Sequence, residues 1–161
     1  MSRLIYSDMS IRALNSAKLN KAKLLEFDKQ LSSTQTNIFI LKAKREESGV
    51  LMMKQMEQSI KNNRQLTINA IATDVNMAII NALNAIKISI QQHNFTTIIL
   101  DDYMLQNIAN FVNEYYKSNE LQLAIKNICN TTMIKYEIAT LIINYKQRFL
   151  PGLINLNNVL S

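Results

Sequence analysis

The chain has 161 residues, of which 48% are apolar and 19% charged, with a formal net charge of +6 and only two glycines, one proline, one cysteine and one histidine. So little glycine and proline leaves little means of building phosphate-cradling loops, nucleophile elbows or sheet hairpins. A single cysteine excludes an intrachain disulfide, and enough Ile and Leu are present to exclude general disorder.

Asp8 is a plausible N-cap for a helix running to about Leu31. Leu24, Phe27, Leu31, Thr34, Ile38 and Leu41 keep the 3-4 spacing of a coiled-coil seam. The polar run Ser32–Asn37 is poor helix former, either a loop or an exposed stretch of one long helix. Gly49 is the next possible break. The seam weakens at Arg45 and Ser48 and resumes as Met52, Met56 and Ile60, so residues 8–62 read as a long helical arm or a hairpin.

Asn62-Asn63 marks an expected joint between this arm and the remainder of the chain. From Leu66 to about Gln92, Ile68, Ile71, Ala72, Val75, Ile79 and Leu83 lead an apolar arc of roughly 160°. Met77 and Ile88 add a second strip behind it. A helix so widely apolar should be central and touched on most sides. Asp101-Asp102 then reads as the cap of an amphipathic helix over about 102–117, with Leu105, Ile108, Val112 and Tyr115 facing inward. Asn119 starts a short helix to about Cys129, and Asn130-Thr131-Thr132 breaks and re-caps the chain. A last helix runs to Leu150, with Ile138, Leu141 and Phe149 inward, before Pro151-Gly152 ends it. The apolar tail 153–161 can dock on the rest.

Charge is unevenly placed. Residues 1–65 hold twelve Lys/Arg against six Asp/Glu, and residues 66–161 hold six of each. The excess suits something acidic near the N-terminal half, nucleic acid included, or only a solvated face. Arg12, Lys18, Lys21, Lys23 and Lys29 are the candidate basic patch for a partner or nucleic acid. Phe27 alone interleaves with them, which gives no aromatic ladder for stacking single strands.

Site chemistry is sparse. His93 lies at an expected helix end, where a histidine commonly contacts the C-terminal dipole. Cys129, between apolar neighbours, reads as a small buried residue. Asp101 and Asp102 diverge by about 100° on a helix, so capping outweighs metal binding or acid–base work for them. No catalytic, cofactor or metal residues are assigned. No apolar run reaches the roughly 18 residues of a membrane span, and the opening residues lack the apolar core of a secretory signal.

These features lead us to expect an all-α fold, a helical bundle with a long N-terminal coiled-coil-like helical arm or hairpin. Residues 1–62 would form the basic arm and 63–161 the apolar bundle, as one continuous unit. The expected role is a non-enzymatic assembly or adaptor protein, for example a structural component of a phage, virus or secretion-type particle. It would work without cofactors, in the cytoplasm or within a particle, and its partners would be proteins or further copies of itself. Leu24, Phe27, Leu31, Met52 and Met56 would form the helix–helix interface. The alternative is nucleic-acid binding through the basic arm. The abundance of Ile, Asn and Lys together points to an AT-rich genome.

Overall fold

Two helices form the frame of the molecule: α1 (Arg3–Ala43) and α2 (Glu47–Gln91), 41 and 45 residues long and each roughly 60–70 Å from end to end. A computed structural model describes residues 2–114, 119–145 and 150–161. The two helices run antiparallel. The Ser10 hydroxyl donates to the Ala78 carbonyl at 2.7 Å, Arg64 meets Asp28, and Gly49 sits against Leu41.

The break between them falls at Lys44-Arg45-Glu46, with Gly49 already in the first turn of α2. Arg45 takes the left-handed conformation (φ 59°), and the N–H groups of Arg45 and Glu46 donate to the carbonyls of Lys42 and Leu41. That is a Schellman C-cap built without glycine, at a steric cost to the arginine. The polar run 32–37 is helical. The joint expected at Asn62-Asn63 is absent, because α2 passes through it unbroken. The polar groups there are satisfied along the helix itself: Gln58 donates to the Asn62 side chain and Thr67 to the Asn63 carbonyl.

The seam read on α1 holds. Leu24, Thr34 and Ile38 are buried and Phe27, Leu31 and Leu41 half-buried. On α2 the seam runs through Val50, Met53, Glu57, Ile60, Arg64, Thr67 and Ile71. Met52 and Met56 therefore leave the hairpin interface, at 61% and 50% exposed. The left-handed residue at Arg45 resets the helical phase, so counting onward from α1 lands one residue off the seam.

Four shorter helices complete the fold: α3 (Phe95–Asn113), α4 (Asn119–Thr131), α5 (Ile134–Asn144) and α6 (Pro151–Leu160). Among the described residues there is no strand. α3 returns beside α1, tied by Arg3–Asp101 and Lys21–Glu114. α4 packs on α2, and α6 packs on α3 and α5. The C-terminal half of α2 is the core: Ile71, Val75, Ala78, Ile79, Ala82, Leu83 and Ile86 are fully buried. Each large side chain among them is worth about 1.5–3 kcal/mol of burial. The second strip is not part of it; Met77 stays 41% exposed. By length and composition α2 could cross a membrane, a test that a core helix also passes, and 56% of its most apolar stretch is buried within the protein.

Three boundaries differ from expectation. α1 begins at Arg3, five residues before Asp8. α3 begins at Phe95, capped by the Asn94 side chain accepting from the Thr97 N–H, so Asp101 and Asp102 lie inside it. α5 ends at Asn144, and Pro151-Gly152 opens α6 instead of closing a helix. Proline suits a first helical position, where its missing N–H would have no partner. The positions expected inward at Tyr115 and Phe149 lie outside the described residues.

Candidate functional site

The end of the hairpin nearest the 44–46 turn projects from the body. At its base, Arg64 Nε donates to Asp28 of α1 at 2.6 Å and Nη1 to Glu120 of α4 at 2.5 Å. Those two carboxylates hold the guanidinium pKa above its usual value, against the desolvation that would lower it. From Arg64 to Glu47, roughly 25 Å of helix, no hydrogen bond or ion pair among the described residues links the hairpin to α3–α6. This is an arm with a single seam. Phe39 (74% exposed), Ile40, Leu51 and Met52 stand on its outside near the turn. A groove of about 450 Å³ follows one flank, lined by Gln30, Ser33, Thr34, Asn37, Met53 and Met56.

The five basic residues singled out from sequence do not converge. Arg12 pairs with Asp8 at 3.0 Å, and Lys21 pairs with Glu114 at 2.9 Å while lying 5.9 Å over the Phe111 ring. Lys18, Lys23 and Lys29 are exposed. Lys18 follows the buried Ala17, Lys23 precedes the buried Leu24, and Lys29 falls midway between Phe27 and Leu31. They therefore point to one flank, the opposite flank and the back. Of the five apolar residues singled out, Leu24 is buried and Phe27 and Leu31 half-buried, whereas Met52 and Met56 are exposed.

The adjacent carboxylates have structural work. Asp101 is fully buried, takes a forked contact from Arg3 at 2.7–3.1 Å and accepts the Ser89 hydroxyl at 2.6 Å. Asp102 accepts the N–H groups of Gly152 and Leu153, both at 2.9 Å. These are the second and third residues of α6, the donors an N-cap side chain normally serves, but Leu150 at the cap position has no acceptor to offer. Asp102 is thus the N-cap of a different helix. Burial pushes its carboxyl pKa up, and the two N–H groups hold it down in part.

A groove of about 490 Å³ between α2 and α4 is lined by Gln65, Asn69, Thr73, Leu123, Asn127 and Thr131. It offers carboxamides and hydroxyls, and its one carboxylate, Glu120, is engaged by Arg64. Cys129 is buried, and its thiol is pushed up to about 11 by desolvation, which keeps it protonated at neutral pH. His93 occupies the left-handed position that ends α2. Among the described residues no group of three His, Cys, Asp or Glu is placed to hold a metal ion. What the exposed hairpin offers is apolar contact. No sequence signal points to the remote cap or to the free flank, since both depend on which helices neighbour one another. Compared with family models, with curated proteins and with solved structures, the chain matches none.

Proposed function

We infer that the protein is a non-enzymatic assembly or adaptor component that binds other protein chains through the helical surfaces of its long hairpin, by coiled-coil-like packing. The observation carrying this reading is the projecting arm. A two-helix hairpin has one seam, and here large apolar residues remain outside it at Phe39, Ile40, Leu51 and Met52. Clustered exposed apolar side chains on a helical projection are typical of interaction surfaces. Their position beyond the Arg64 clasp leaves both flanks of the arm open to a partner helix. The dispersed and partly paired basic residues support nucleic-acid binding less well.

Light scattering on a sizing column, with the 260/280 absorbance ratio recorded at low and high salt, tests this. A defined oligomer free of nucleic acid at both salts supports assembly. A monomer that carries nucleic acid at low salt and sheds it at high salt refutes it in favour of the basic alternative.

A further inference from the structure

The α1–α2 layer has two faces, and they are not equivalent. On α1, Leu14 and Lys21 each follow a seam residue and turn toward α3, where Lys21 meets Phe111. On α2, Ile68, Val75, Ala82 and Ser89 do the same, and Ser89 reaches Asp101. In an antiparallel pair these two flanks lie on one side of the layer. The residues that precede the seam lie on the other side: Met9, Ser16 and Lys23 on α1, Met56, Asn63 and Met77 on α2. Ser16 is half-buried, as are Ala70 and Asn84 on the same row of α2; the others are exposed, in the body as well as in the arm. The next row outward adds Ile5, Leu19 and Ile40 from α1, and Met52 and Leu66 from α2, all exposed. One face thus presents eight large apolar side chains.

We propose that this face pairs with the same face of a second copy of the chain, antiparallel, about a two-fold axis at the level of Lys23 and Leu66. The proposal rests on the assembly reading above.

Two observations choose a second copy. The first is area. A layer two helices wide and roughly 60 Å long offers on the order of 1,200 Å² of face, more than the about 800 Å² that each partner contributes to a standard interface.

The second is self-complementarity, the requirement of any two-fold contact. The cross-links Ser10–Ala78, Asp28–Arg64 and Leu41–Gly49 fix the heights of the two helices against each other. Met52 then stands level with Ile38 of α1, Met56 with Thr34, Leu66 with Leu24 and Met77 with Ala13. Turned end for end about the level of Lys23, each helix lies over its own counterpart, and Met77 falls on the second copy's Met56. Ile5 falls close to Ile40, and Leu66 falls on itself. Leu19 and Met9 meet polar levels, beside Glu26 and Asn37. Charge agrees with this placement. Arg12 and Lys87 on this face are already paired, with Asp8 and Glu137. Lys23 and Glu26 have no ion pair among the described residues; the rotation sets Lys23 beside its own copy at the axis, with Glu26 of the other chain within about one helical turn of each. Methionine suits a contact of this kind, since its flexible thioether adapts to the facing surface.

The full-length chain is tested by light scattering over a dilution series. The wild type is expected at twice the 18.5 kDa of one chain. Leu66→Glu and Met56→Glu, each at an exposed site, are expected to return one-chain mass with unchanged circular dichroism and urea midpoint. Leu51→Glu, on the opposite flank, is expected to keep the pair. In the Met56→Cys/Met77→Cys double variant, a short bis-maleimide should give covalent dimers. Within one chain those two sites stand roughly 30 Å apart, so the linker reports only a second copy. Either single variant should give none, and the native Cys129 is buried. A wild type at one-chain mass throughout, free of nucleic acid, overturns the pairing while the protein-binding reading stands. A dimer that survives Leu66→Glu and Met56→Glu but fails with Leu51→Glu also overturns it and moves the contact to the other flank. A monomer laden with nucleic acid overturns both.

Discussion

Substituting Gly152 by alanine probes the close approach of α6 to α3. A Cβ at this position would overlap the carbonyl oxygen of Asp102 and stand 2.9 Å from the amide nitrogen of Gln106, both of them backbone atoms of α3. Neither can move without bending a helix, so α6 must withdraw, by roughly 1.5 Å to reach ordinary contact. At that separation the 2.9 Å bonds from Gly152 and Leu153 to Asp102 lengthen past the hydrogen-bond range. Losing the cap costs about 1–2 kcal/mol. The overpacking, and the loosened contacts of Leu153, Leu156 and Leu160, add about 1–3 kcal/mol. Against this, alanine gains about 0.5–1 kcal/mol over glycine as a helix former. The net expectation is a loss of about 2–4 kcal/mol in urea unfolding, with faster proteolysis after residue 150. A Gly152→Ala protein within about 0.5 kcal/mol of wild type would refute the close approach and with it the docking of α6.

Removing the acceptor, Asp102→Ala, should cost about 1–2 kcal/mol in the same assay, because two buried N–H groups lose their partner. The pH dependence of that difference has a definite sign. Burial raises the folded pKa of Asp102, so its contribution is fully present below the unfolded pKa and is lost as pH rises through the folded value. Paired urea titrations should therefore show wild type pulling further ahead of Asp102→Ala as pH is lowered from 7 toward about 4.5; a shrinking gap would contradict the shift. Arg3→Ala leaves Asp101 buried with Ser89 as its remaining partner among the described residues and should cost about 3–5 kcal/mol, visible in thermal melts. Arg45→Gly and His93→Gly relieve left-handed residues at two helix ends, and each should raise stability by about 0.5–1 kcal/mol.

Much of the fold is legible because long helices write their seam into the chain. The spacing from Leu24 to Leu41 survives a poor helix-forming run at 32–37, since burial of Leu24 and Ile38 outweighs weak local propensity. The apolar arc from Ile68 to Ile90 likewise announces a central helix. Sequence reasoning fails where a local signal is overruled from a distance. Arg45 turns the chain without a glycine, so no residue marks the turn and the phase is lost by Met52. Asn62-Asn63 resembles a joint, yet the seam continues beneath it through Ile60 and Arg64. Asp102 does act as a cap, but the helix it caps starts fifty residues later, a relation that no periodicity encodes.

The continuity of α2 has a mechanical consequence. The arm and the core are halves of one helix, so there is no hinge between the tip at Glu47 and the buried residues around Ile79 and Ile86. Bending the tip relative to the body would mean breaking backbone hydrogen bonds in the helix, or parting Arg64 from Asp28 and Glu120. The hairpin therefore acts as a stiff beam clamped at its root. Whatever grips its free end is held at a fixed distance and angle from the body, and a load applied there is delivered straight into the packing of α3, α4 and α6.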